Sequence, residues 1–189
     1  MTRRLGTLVG VGLAVAATSL TATVVVPAEF REIVADAGLI VRGRVTDVRS
    51  LVAPNNTIDS VATVAVDSLL KGQAETFVSV RVPGGEIGRT RYVLMGAPTF
   101  RVGDRAVFFL KRGPDSLWRP IGLTMGVYRV QAEAPTGRPV VRPPVLPNRV
   151  GGSTRGDVSR RLLPVSEFES LVRLVMTSPP AQAVPRGRR

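Results

Sequence analysis

Between Leu39 and Val141 lie about seven short segments separated by turn residues, several with apolar residues at every second position, and there is no helical periodicity between them. Period two means half-buried strands, and strands this close in sequence leave no room for the crossover helices that a parallel sheet requires. The pattern excludes a doubly wound α/β sheet and predicts a mainly β fold. The expected form is a small antiparallel OB-like barrel with short N-terminal and C-terminal amphipathic helices.

Val41, Gly43 and Val45 share one face of the first segment against Arg42, Arg44 and Thr46. Val48 falls out of phase, so a bulge is expected near Thr46 and Asp47. Pro54-Asn55-Asn56 turns the chain into Ala62, Val64 and Val66, completing a long hairpin. Val78, Val80 and Val82 mark a third strand, and residues 91–95 a fourth. Residues 106–110 form an unbroken apolar run, the sign of a strand covered on both faces, and this one is expected at the centre. Residues 118–121, 125–130 and 140–141 supply the rest.

Two helices flank the strands. Phe30, Ile33, Val34 and Ala37 have the spacing of one helical face, with Gly38 where a left-handed cap would sit. Ser166-Glu167-Phe168-Glu169 spells a capping box that opens a helix over residues 165–176, with Phe168, Leu171, Val172 and Val175 on one face. The reading gives a barrel domain over residues 29–142, a Pro/Gly/Arg-rich connection over 143–164, a helix packed on the barrel and a disordered basic tail over 177–189.

Residues 1–28 have the layout of an export signal. Arg3 and Arg4 precede an uncharged stretch whose most apolar part runs from Leu5 to Ala17 and is followed by small residues. Whether it is cleaved or kept as an N-terminal anchor, the rest of the chain is expected outside the cytoplasmic membrane. That compartment permits disulfides, yet there is no cysteine, so stability rests on burial and backbone pairing. There is also no histidine, which removes Ser-His-Asp and Cys-His nucleophile systems and histidine-ligated metal sites. No catalytic residue, metal site or cofactor is nominated.

The formal charge is +12, and only Lys71 and Lys111 among the 26 basic residues are lysines. With aromatics at 5% the arginines lack a stacking platform for single strands, so nucleic acid is not the expected partner. The densest candidate site is the loop over residues 82–91. There Gly84 and Gly85 would let the backbone approach a partner, while Glu86, Arg89 and Arg91 orient it. It lacks the Gly-Lys-Ser/Thr ending of a phosphate-cradling loop, so no nucleotide is expected. Arg42 and Arg44, on one strand face with Arg49 beyond them, are a second candidate as a basic strip.

The order of segments resembles a known family. The stretch 35–48, the strand ending Val66-Asp67-Ser68-Leu69-Leu70-Lys71-Gly72, then Val80-Arg81-Val82 and the run 100–110 resemble secreted bacterial proteins similar to tissue inhibitors of metalloproteinases and netrin modules. The resemblance covers roughly residues 30–130 and implies an OB-type barrel with a binding or inhibitory role outside the cell. The animal inhibitors chelate their target's zinc through an N-terminal cysteine, and this chain has none, so that mechanism cannot operate here. The expected function is a non-enzymatic exported module that binds a protein or cell-envelope component. Its alternatives are a regulator of an extracellular protease and a binder of anionic polymers.

Overall fold

The computed structural model describes residues 28–144 and 161–178. The segment expected to be an export signal, apart from Ala28, residues 145–160 of the expected connection and residues 179–189 of the expected tail lie outside them. Among the described residues no helix is long and apolar enough to cross a membrane.

The chain opens with helix α1 (Ala28–Asp36). It continues into two long strands, β1 (Leu39–Val52) and β2 (Ile58–Lys71), and then β3 (Phe77–Pro83). A small ribbon of β4 (Gly85–Ile87) and β5 (Thr90–Tyr92) follows. Next come β6 (Arg105–Arg112), β7 (Trp118–Pro120), a 3-10 turn (Leu123–Gly126), β8 (Val127–Ala132) and β9 (Pro139–Arg142). The last elements are β10 (Leu163–Pro164) and helix α2 (Val165–Thr177).

Five strands close on themselves in the order β1, β2, β3, β7, β6 and back to β1, so the mainly β barrel with two helices is the fold of this chain. Every step is antiparallel except one. β3 and β7 run parallel and meet through a single pair, Val80 with Trp118. β8, β9 and β10 extend the sheet beyond β6.

Two apolar clusters explain why the run 106–110 does not alternate. Ala106, Phe108 and Leu110 point into the barrel beside Val41, Val45, Val64 and Val80. Val107 and Phe109 point outward into a second cluster beneath the two helices. There Phe30 of α1 sits edge-on to Phe109, Tyr128 and Phe168, with ring centroids 5.7 to 5.8 Å away. Phe168, Leu171, Val172 and Val175 of α2 are buried in the same cluster, as their spacing predicts. β6 pairs with β1, β7 and β8 and is the central strand.

The bulge expected near Thr46 is present, since the β1–β2 register slips between Val45 and Asp47, and another slip precedes Gly43. At Gly43 the two strands lie too close for a side chain. A Cβ there would sit 2.4 Å from the Ala65 carbonyl oxygen, so the alternation that put Gly43 on the inner face also marks a contact only hydrogen fits.

Three local expectations are corrected. Gly38 is not a left-handed cap. Its N–H donates to the Leu110 carbonyl, and the last turn of α1 is closed by Lys71, whose Nζ donates to the carbonyls of Val34 and Ala35 at 2.8 and 2.9 Å. Nor does Ser166 cap α2. Leu163 and Pro164 pair with β9, so the chain enters the helix directly from a strand at Val165, and Glu169 is left free to reach Arg42. Finally, the fourth strand is shorter than residues 91–95: β5 ends at Tyr92, and residues 93–95 emerge as an exposed loop.

Candidate functional site: the barrel seam and the ribbon beside it

The weakest closure of the barrel organises its surface. With one pair between them, β3 and β7 diverge on both sides of Val80, and clefts open above and below. The larger, about 620 Å³, lies between the ends of β3, β6 and β7 and is lined by Asp59, Arg81, Pro83, Tyr92, Leu94, Lys111 and Arg119, among others. The smaller, about 520 Å³, lies at the other end of the seam beside Phe77, Arg112 and Trp118. Trp118 is unavailable for stacking on a ligand, because Arg112 covers its ring at 4.1 Å while Gly38 backs it.

Charge, rather than backbone pairing, ties the seam together. Arg81 of β3 donates from Nε to Asp59 of β2 at 2.7 Å, and from an Nη to Asp115, in the β6–β7 turn, at 2.6 Å. Asp115 also accepts from Arg119 of β7 at 3.0 Å. Burial works against the Arg81 charge, but its bonds to Asp59 and Asp115 outweigh that, and the guanidinium is held above its ordinary range. Desolvation likewise pushes the Asp115 carboxyl up, while Arg119 and Arg81 pull it further down, below the usual carboxylate range.

The ribbon β4–β5 is docked at the far end of the β1–β2 hairpin. Gly84 has φ +104°, which glycine tolerates, and its N–H donates to the Ile58 carbonyl while its own carbonyl accepts from the Ser60 hydroxyl. A Cβ on Gly85 would stand 2.7 to 2.8 Å from the Ser60 and Ser50 hydroxyl oxygens. The Glu86 N–H donates to the Ser50 hydroxyl. The close approach that the two glycines allow is thus made to the protein's own hairpin. Glu86, Arg89 and Arg91 are exposed, and their side chains make no hydrogen bond or ion pair among the described residues. Gly84, Gly85, Glu86 and Arg91 line a cleft of about 340 Å³ with Tyr92, Val93 and Leu94.

Arg42 and Arg44 are not brought to this place. Ser50, where the ribbon docks, lies eight residues further along β1 than Arg42, about 26 Å at strand rise. Arg42 is consumed by structure, donating to Glu169 of α2 at 2.8 Å and pairing with Asp67 of β2 at 3.4 Å. Arg49 pairs with Asp47, so of these three only Arg44 is exposed and makes no side-chain hydrogen bond or ion pair among the described residues. The three arginines therefore form no continuous basic strip. The partners of Arg42 lie on β2 and α2, far along the chain, where spacing within β1 does not show them, while Asp47 shares a strand face with Arg49 two residues away.

One component of the site was concealed in the sequence. Residues 93–95 look like the apolar end of a strand, yet Val93 is 61% and Met95 84% exposed, with Leu94 and Ile87 partly so. Tyr92 and Leu94 line both the seam cleft and the ribbon cleft, so the apolar loop joins the two. No protein-family model matches the chain, and no curated protein sequence is significantly similar to it.

Proposed function

We propose that this chain is an exported, non-enzymatic binding module that docks a protein partner on the surface formed by the β4–β5 ribbon and the 93–95 loop. The observation that carries the reading is the exposed Val93-Leu94-Met95 loop beside Arg89, Arg91 and Glu86, all free of internal partners among the described residues. A contiguous apolar surface rimmed by free charges is the composition of a protein interface, in which Met, Tyr and Arg are over-represented. The ribbon is held from below by Ser50 and Ser60, so it presents this surface with little to order on binding.

The resemblance to secreted modules similar to tissue inhibitors of metalloproteinases supports an extracytoplasmic partner. Binding of an anionic polymer is the less favoured reading, because Arg42, Arg49, Arg81 and Arg129 are already paired with carboxylates and the arginines of β1 form no continuous strip. Placing a photo-crosslinking amino acid at position 95 tests the proposal. A discrete protein adduct should form in the native envelope or culture fluid, be absent with the crosslinker at position 138, and disappear when Val93→Asp is added. Equal labelling from the two positions refutes it. Inhibition of proteolysis across a protease panel would sharpen the partner to a protease, whereas unchanged rates at saturating protein remove that alternative.

A further inference from the structure

The charges along the seam form a pattern with one member missing, and all but Asp115 line the seam cleft. Asp59, Arg81, Asp115 and Arg119 alternate in sign, each joined to the next at 2.7, 2.6 and 3.0 Å. The next group is Lys111, which the β6–β7 register places directly opposite Arg119. Residues so opposed on antiparallel strands hold their Cβ atoms about 5 Å apart, a distance at which like charges are unfavourable. Lys111 is exposed and makes no ion pair among the described residues. Three cations thus face two carboxylates, and the surplus of one positive charge lies at the Lys111–Arg119 end.

Leu94, Pro83, Pro120 and Leu123 contribute apolar surface to the lining of the same cleft. We propose that Lys111 and Arg119 together receive a single carboxylate of the protein partner, presented beside an apolar side chain that rests on Leu94 and Pro83. This deepens the docking reading above and depends on it. A carboxylate between the two cations continues the alternation, relieves their repulsion and gains charge-assisted hydrogen bonds. One negative charge balances the surplus, whereas a phosphate dianion would exceed it.

The test is fluorescence polarisation of the full chain with a labelled hexapeptide alternating aspartate and leucine, compared with a twin alternating asparagine and leucine. Lys111→Glu and Lys111→Gln are measured beside Arg138→Glu, an exposed position in the turn before β9 that makes the same charge change as Lys111→Glu outside the cleft lining. The acidic peptide should bind about tenfold more tightly than its twin, the strength of one charge-assisted hydrogen bond. Lys111→Glu and Lys111→Gln should each remove most of that advantage, while Arg138→Glu changes it less than about twofold. Indistinguishable peptides, or equal losses from Lys111→Glu and Arg138→Glu, overturn the inference. So does displacement of the peptide by inorganic phosphate where acetate at the same concentration has no effect. If the adduct at position 95 still forms under those outcomes, the docking surface stands and only the cation pair falls.

Discussion

Arg81→Met removes the one side chain that ties β2, β3 and the β6–β7 turn together at the seam. In the folded protein Asp59 is 9% exposed, and its carboxylate accepts the Arg81 Nε–H. Asp115 keeps Arg119 after the substitution, so only Asp59 is left as a buried carboxylate without its cation. Breaking a buried pair from one side costs about 3 to 5 kcal/mol, and the open cleft admits water, so the lower end, about 3 kcal/mol, is expected. For a domain of this size that is a fall in Tm of roughly 10 °C. The double variant Asp59→Asn with Arg81→Met should recover much of the loss, because it no longer buries an uncompensated charge. The assay is urea unfolding followed by fluorescence of Trp118, the chain's one tryptophan, which sits on the seam itself. The pH dependence has a definite sign. The Asp115 carboxyl is held below its ordinary value of 3.8, so the folded protein binds fewer protons there than the unfolded chain. That stabilisation is complete above 3.8 and is lost as pH falls through the lower folded value. Arg81→Met takes away one of the two arginines responsible, so the gap between variant and wild type should be widest above pH 3.8 and narrow beneath it. A loss of less than about 1 kcal/mol, or a double variant no more stable than the single one, would refute the view that this network closes the barrel.

Gly43→Ala would force a methyl group to 2.4 Å from the Ala65 carbonyl and 2.6 Å from Val64 Cγ1, so the β1–β2 crossing must open. We expect a loss of about 2 to 3 kcal/mol by urea titration, and an unchanged midpoint would show that the strands yield freely there. Lys71→Met removes the donor to the Val34 and Ala35 carbonyls and should cost about 1 to 2 kcal/mol. Amide exchange should accelerate across α1 and hardly change in β6; uniform acceleration would mean that the bond supports the whole domain rather than the end of α1.

The barrel was legible in the chain because alternation is a local property. Val41, Gly43 and Val45, then Ala62, Val64 and Val66, declare which face turns inward without reference to any neighbour. The unbroken run 106–110 announced the central strand for the same reason, since only a segment covered on both faces can afford no polar residue. Local rules misled where a distant group substituted for the local one. Lys71 took the place of a cap at Gly38, and β9 held Pro164 so that Ser166 had no helix end to cap.

The candidate site divides along the same line. The ribbon residues Gly84, Gly85, Glu86 and Arg91 were visible as a cluster because they are adjacent in the chain, and the fold keeps them in one cleft. Asp59, Arg81, Lys111, Asp115 and Arg119 come from four strands and a turn and could not be grouped from their spacing. Periodicity told which residues face the core and which face outward. Only the closure of the sheet decided which outward charges meet: ion pairing depends on distances across the barrel wall, and these exist only once β3 has come to lie beside β7.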